Sequence, residues 1–290
     1  MNAEITIREA TREDAETIAK MYQATWPLAW ETPEVVRFQF DVLADTGGQI
    51  LIALQGDRVV GHGEFIPTRE PPPYGYWGYL EALEVHRAFH RQGIGTALVQ
   101  EAIHRCASLG CTRFGTNPDD ERSEGLYRKV GMTWVERRLV TKFELPEEVT
   151  SPAVEVIEEL SSAERPWEHF FHVLGRLHCA PYWWALTFRR QQAGHKSAAG
   201  AFAAQVRCEA GTAVVFFTGS WLHVFLPPDQ ATDHVLLTRA VAYGVHRLKA
   251  LEKTYFYTLM PFDLTDVVRS VSGVYPSESH FDFHMWMPLQ

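Results

Sequence analysis

Polar and apolar positions change period several times along the chain, and each change marks an element. Ile5 and Ile7 alternate with polar residues and predict a first strand. Thr11-Arg12-Glu13-Asp14 has the spacing of a capping box, after which Ala15, Ile18, Ala19 and Tyr22 fall on one helical face. Trp26-Pro27 breaks that helix. Thr32-Pro33 offers an N-cap and a first-turn proline to a second helix, which runs to about Ala44 and stops at Gly47-Gly48. Residues 49–54 and 58–66 read as a hairpin around Gln55-Gly56-Asp57. Residues 67–78 hold three consecutive prolines with Tyr74, Tyr76 and Trp77, and predict an aromatic loop. A strand over 79–86 then enters a short basic loop with Arg87, His90 and Arg91. At Gly93-Ile94-Gly95 a helix opens. Its apolar face is Ala97, Leu98, Ala102, Ile103 and Cys106, and Gly110 ends it. A strand over 112–117, a helix over 120–130 stopped by Gly131, and strands over 132–135 and 139–145 follow.

The polar stretch 146–152, with proline at each end, reads as a linker. It divides the chain into domains 1–146 and 153–290. The second half predicts a strand over 154–157, a helix over 162–177, and an aromatic helix over 181–188. Strands over 198–208, 213–218 and 221–226 come next. They are followed by a long helix over 231–248, a strand over 254–259, a helix over 264–271 and a last strand over 281–287. The order resembles that of the first half. The predicted fold is therefore α/β with mixed sheets: two units in tandem, each a mixed central sheet flanked by helices.

With 290 residues and 46% hydrophobic content, each half can bury a core of its own. No apolar run is long enough to span a membrane, and the charged N-terminus lacks a signal core. Cys106, Cys111, Cys179 and Cys208 show no paired spacing, so a reducing cytoplasm is expected. The net charge of −9 argues against a nucleic-acid partner. Up to Glu148 there are 16 Lys and Arg against 23 Asp and Glu, a balance that suits a cationic amine as well as a solvated acidic surface.

The chemistry concentrates at residues 79–98. Glycines at a helix N-terminus let successive backbone N–H groups point one way, which makes an anion site, and the basic side chains beside them add charge. The pattern lacks the Gly-Lys-Ser/Thr of a Walker loop and the third glycine of a dinucleotide fingerprint. The reading is a diphosphate cradle.

Val85-x-x-x-x-His90-Arg91-Gln92-Gly93-Ile94-Gly95-Thr96-Ala97-Leu98 resembles the acyl-CoA motif of the GNAT superfamily of N-acetyltransferases, in its tandem-domain type. That motif normally has Gln or Arg where this chain has His90. The segment from Asp120 through Leu126-Tyr127 to Gly131-Met132 resembles the family's second signature. Asp120 stands there in place of Asn, and Met132 in place of Phe. The resemblance covers about residues 4 to 146. It implies acetyl-CoA as co-substrate, with the pantetheine arm pairing like a strand beside Leu83 and Val85. His90, Arg91, Gln92, Gly93, Ile94, Gly95 and Thr96 would take the pyrophosphate. Asn117, Asp120 and Ser123 are further candidate contacts. It also implies direct attack by a primary amine within a ternary complex, most simply a small-molecule amine.

Acyl transfer needs a base for the amine proton, a donor for the developing oxyanion and a proton for the leaving thiolate. Tyr127 is the candidate for the last role. Glu81 is the favoured base, with Glu84 and Glu64 as alternatives. Three apart, Glu81 and Glu84 point to opposite faces of a regular strand; the bulge usual in this family's central strand would change that parity. In the second half Pro227-Pro228-Asp229 replaces the glycines, so no equivalent cofactor loop is expected there. His280, Asp282 and His284 alternate along the last strand, but chance alternation outweighs a ligand set, and no metal is expected. A non-catalytic acyl-CoA-binding or partner-binding module is the competing functional class. No sequence feature sets an oligomeric state.

Overall fold

The computed structural model describes residues 4–25, 31–70, 75–175, 179–260, 264–271 and 273–289, excluding the side chains of residues 69 and 70. It divides into two compact units, one of Met1–Glu136 with Phe283–Gln290 and one of Arg137–Asp282. The expected divide at 146–153 therefore differs from the division by contacts. Two strands account for the difference. The residues expected to close the first unit, 139–145, pair instead with a strand of the second. The last residues of the chain return to the first.

The first unit runs β1 (Ile5–Glu9), α1 (Ala15–Thr25), α2 (Pro33–Thr46), β2 (Gln49–Gln55), β3 (Arg58–Glu70), β4 (Gly75–Val85), α3 (Ile94–Ser108), β5 (Arg113–Thr116) and α4 (Glu121–Lys129). Its strands lie in the order β1-β2-β3-β4-β5, antiparallel except for β4 with β5. The predicted caps form. The Thr11 amide donates to Asp14 at 2.7 Å, and Arg8 grips the same carboxylate at 2.8 and 2.9 Å. The Thr32 hydroxyl accepts from the Val35 amide, and Gly47 closes α2 with φ of 77°. The Trp26-Pro27 break and residues 71–74 lie outside the described residues. The predicted loop over 67–78 is shorter than expected, because β3 extends to Glu70 and β4 begins at Gly75. Backbone pairing from Pro67–Gly78 to Glu70–Gly75 overrides the local proline signal.

Ile94, Leu98, Val99, Ala102 and Cys106 of α3 pack against Leu51, Val60, Phe65, Leu80 and Phe114 on one face of the sheet. The helix lies so close that a Cβ at Gly78 would stand 2.2 Å from Cys106 Sγ. α1 and α2 cover the opposite face, where Tyr22 meets His62 of β3.

The second unit continues with β6 (Trp134–Glu144), β7 (Glu155–Glu159), β8 (Phe171–Leu174), α5 (Ala180–Gln192), β9 (Phe202–Cys208), β10 (Gly211–Thr218), β11 (Trp221–Leu226), α6 (His234–Ala250), β12 (Tyr255–Met260), α7 (Thr265–Arg269) and β13 (Tyr275–Pro288). Its order is β6-β12-β11-β10-β9-β7, with β11 and β12 parallel. Leu236, Leu237, Ala240, Val241 and Leu248 of α6 pack on Val215, Phe217, Leu222, Val224 and Phe256. Trp184 and Phe188 of α5 pack on Phe216 and Phe225, on the other face. The aromatic helix is thus core.

Three expectations change. Residues 132–135 and 139–145 are not separate strands, since Trp134–Glu144 is continuous. Residues 162–177 are not a helix. A 3₁₀ turn at Pro166–Glu168 precedes β8, whose Phe171-His172-Val173-Leu174 pairs with β11. β13 starts six residues earlier than predicted, at Tyr275. Its end, Met285–Pro288, pairs antiparallel with Arg113–Thr116 and completes the first unit's sheet.

Candidate active site

β4 ends in a turn that builds a backbone concavity. A single 3₁₀ turn at Arg87–Phe89 follows Val85, Arg91 has φ of 64°, and Gly93 has φ of 83° as N-cap of α3. Two left-handed residues so close together aim neighbouring amides into one hollow, next to the positive end of a helix. Nothing stands within 4 Å of a Cβ placed on Gly93, so its backbone borders open space. Gly95 serves packing instead: its Cβ would lie 3.0 Å from Leu126 of α4. His90, Arg91 and Gln92 are exposed around the hollow, and Thr96 is half-buried in the first turn. The His90 substitution has a visible role, since its Nε2 lies 2.8 Å from the Val85 carbonyl and ties the loop to the strand end.

Beside this hollow the parallel pair β4–β5 comes apart. Pairing covers Trp77–Arg113, Gly78–Phe114 and Tyr79–Gly115 and then stops. Thr116 Oγ1 donates to the Leu80 carbonyl at 2.8 Å, at the point of divergence. Among the described residues no strand pairs with Glu81–Val85 on the β5 side. An extended polar chain could run along that edge from the hollow toward Thr116. Leu83 and Val85 face α3 there, within 4 Å of a Cβ placed on Gly95.

Tyr127, 5% exposed on α4, has the Thr116 side chain beside its phenol. Burial pushes its pKa well above that of an ordinary phenol, so it stays protonated. Asp120 and Ser123, expected as cofactor contacts, satisfy each other: Asp120 Oδ1 accepts from the Ser123 amide at 2.8 Å, and Ser123 Oγ accepts from the Asp120 amide at 3.0 Å. They fix the start of α4, and with it Tyr127. Asn117 Oδ1 accepts from Tyr79 Oη at 3.1 Å and lies 3.0 Å from His284 Nδ1. His284 is buried and stacked on Trp77; among the described residues no group of three or more His, Cys, Asp or Glu side chains is placed to hold an ion.

The bulge in β4 falls at Glu81: Phe65 opposes Leu80, Glu64 opposes Ala82, and Glu81 is the extra residue. It brings the candidate bases together on the α1 side. Glu31, Glu64, Glu81 and Glu84 all raise the pKa of Tyr22, after the larger effect of its burial. Tyr22 Oη donates to Glu64 Oε2 at 3.3 Å. His62, in register with Glu84, is fully buried here; no sequence pattern marked it, because a histidine inside a strand repeat has no spacing signature.

The second unit lacks both features. β11 and β12 pair only at Trp221–Tyr257, yet β8 lies along β11 from Leu174–Val224 to Phe171–Leu226. The Gly175 amide then donates to the Leu259 carbonyl of β12 at 3.0 Å. The gap between diverging strands is filled by the chain itself. At the start of α6 the Asp233 carboxylate accepts from the Val235 and Leu236 amides, both at 2.9 Å, so a negative charge already caps that helix.

Residues 15–132, which lie within the first unit, match the model of the Acetyltransferase (GNAT) family. Across the whole chain the fold is similar to two solved GCN5-related N-acetyltransferases. The one from Anabaena variabilis is 11% identical over 98% of this chain and 72% of its own, with a TM-score of 0.63. The one from Kribbella flavida is 16% identical over 99% of this chain and 72% of its own, with a TM-score of 0.62. At such identities the likeness is one of fold. Comparison with curated proteins finds none that matches. No described helix is long and apolar enough to cross a membrane.

Proposed function

We propose that this chain is an acetyl-CoA-dependent N-acetyltransferase whose first unit moves an acetyl group directly to a primary amine, most simply that of a small molecule. The observation that carries this reading is the path from the Arg91–Gly93 hollow, along the stretch of β4 beyond its pairing with β5, to the Thr116–Leu80 hydrogen bond with Tyr127 beside it. The amides of residues 91–96 would take a diphosphate, and the edge at Leu83 and Val85 would take an extended arm. This places the thioester at the bulge. The amine nitrogen then bonds to the acetyl carbon while the carbon–sulfur bond breaks. The amine proton goes to the carboxylates at Glu81 and Glu84, and the sulfur takes a hydrogen bond or a proton from Tyr127.

The second unit is read as a degenerate GNAT-like partner without a cofactor site, because β8 and Asp233 occupy the two places where one would form. The test is acetyl-CoA turnover, followed as free thiol, with a panel of mono- and diamines. Amine-dependent thiol release is expected. Cofactor binding without transfer to any amine would point to a non-catalytic module instead.

A further inference from the structure

His62 lies beneath the candidate bases and is spoken for by neither the fold nor the proposed reaction. It is fully buried, and neither ring nitrogen has a hydrogen-bond partner. A buried imidazole left this way is costly, so packing alone would favour an apolar residue. Its neighbours indicate what it is for. Nδ1 lies 3.9 Å from Glu84 Oε2, across a directly paired position of β3 and β4. The Tyr22 ring meets the imidazole edge-on at 4.7 Å and sends its hydroxyl to Glu64. Glu84 and Tyr22 thus face the imidazole, and Glu64, Glu84, Glu31 and Glu81 act in turn on Tyr22. Glu84 is 5% exposed and three residues from the Glu81 bulge.

We infer that His62 is the positioning residue of the base: it orients the Glu84 carboxylate toward the bulge and, through it, receives the proton that the acceptor amine gives up. The inference rests on the acetyl-transfer reading. Before reaction the imidazole is neutral, since burial lowers its pKa to about 4, and it therefore has room for a proton. As the amine attacks, its N–H bond breaks and a proton passes to Glu84. A small approach across the 3.9 Å gap lets Nδ1 take that proton and leaves an imidazolium beside a carboxylate. The proton leaves by the reverse path once product departs. A carboxylate working alone in this acidic group would instead have its basicity set by the other three carboxylates, with no acceptor behind it.

The experiment is the pH profile of kcat and kcat/KM for wild type, His62→Gln, Glu84→Gln and the double variant, with acetyl-CoA binding and thermal melting measured on each. His62→Gln is expected to lower kcat at least tenfold at neutral pH while leaving KM for acetyl-CoA within about twofold. Its rate should climb with pH toward the pKa of the free amine, where the wild type has levelled off. The double variant should be no slower than Glu84→Gln alone. If His62→Gln fails to fold, His62→Asn, which removes volume without adding any, is read the same way. A His62 variant that folds, binds acetyl-CoA and keeps the wild-type profile overturns the inference and leaves acetyl transfer standing. A wild type that binds acetyl-CoA but acetylates no amine overturns both.

Discussion

Replacing Tyr127 by Phe is expected to slow acetyl transfer about a hundredfold while acetyl-CoA binds nearly as before, consistent with the usual contribution of a positioned general acid. The argument starts from burial. Tyr127 belongs to the same core as Leu98, Ala102 and Phe114, so the ring of a phenylalanine fills its place. What disappears is one hydroxyl, beside Thr116 at the point where β4 and β5 diverge. Its raised pKa decides the form of its action. It serves mainly as a permanent hydrogen-bond donor to the sulfur and gives up its proton only as thiolate charge develops. The rate of the variant should therefore depend on the leaving group, with an acyl donor of lower thiol pKa losing less. Steady-state kinetics with two such donors check this. Wild-type rates in Tyr127→Phe would remove the assignment.

The second large effect is on stability in acid. His62 in the first unit and His172 in the second are both buried, and burial lowers their pKa values to about 4 and about 3. For His172 the nearby Arg138 adds to the shift. An unfolded histidine titrates near 6.5, so between that value and the folded pKa the unfolded state binds more protons. The stabilising contribution is thus complete above pH 6.5 and is lost as pH falls toward 4 or 3. At about 1.4 kcal/mol per pKa unit, the loss reaches roughly 3 kcal/mol for His62 and roughly 5 kcal/mol for His172. Either is a large part of the stability of an ordinary domain. Urea unfolding followed from pH 7.5 to 4.5 should show a steep fall beginning near pH 6.5. His62→Phe should flatten it for the first unit, and His172→Phe for the second. A stability that stays level down to pH 5 would contradict this account.

The first unit was legible because its signals are local. Capping at Thr11 and Thr32, the glycine turn at 93 and the helical face of α3 each depend on a few neighbouring residues, and each formed as read. The family signature led to Tyr127 for a similar reason: its environment is set by a helix start four residues long. What escaped the sequence is long-range. Nothing in Met285-Trp286-Met287-Pro288 says that it pairs with a strand some 170 residues earlier. The alternation at β8 is too short to outweigh a helical reading of its surroundings. His62 was missed because its meaning lies in the residue opposite, Glu84, and strand register is not written in either strand alone.

The central claim is one acyl-CoA site, in the first unit, built on the Gly93 turn. Calorimetric titration of acetyl-CoA into wild type and Gly93→Trp tests it most directly. At φ of 83° a tryptophan is strained, and its ring would fill the hollow. The account predicts one equivalent bound by the wild type and at least a hundredfold weaker binding by the variant, with the variant still folded by circular dichroism. Two equivalents, or unchanged affinity in Gly93→Trp, would contradict it.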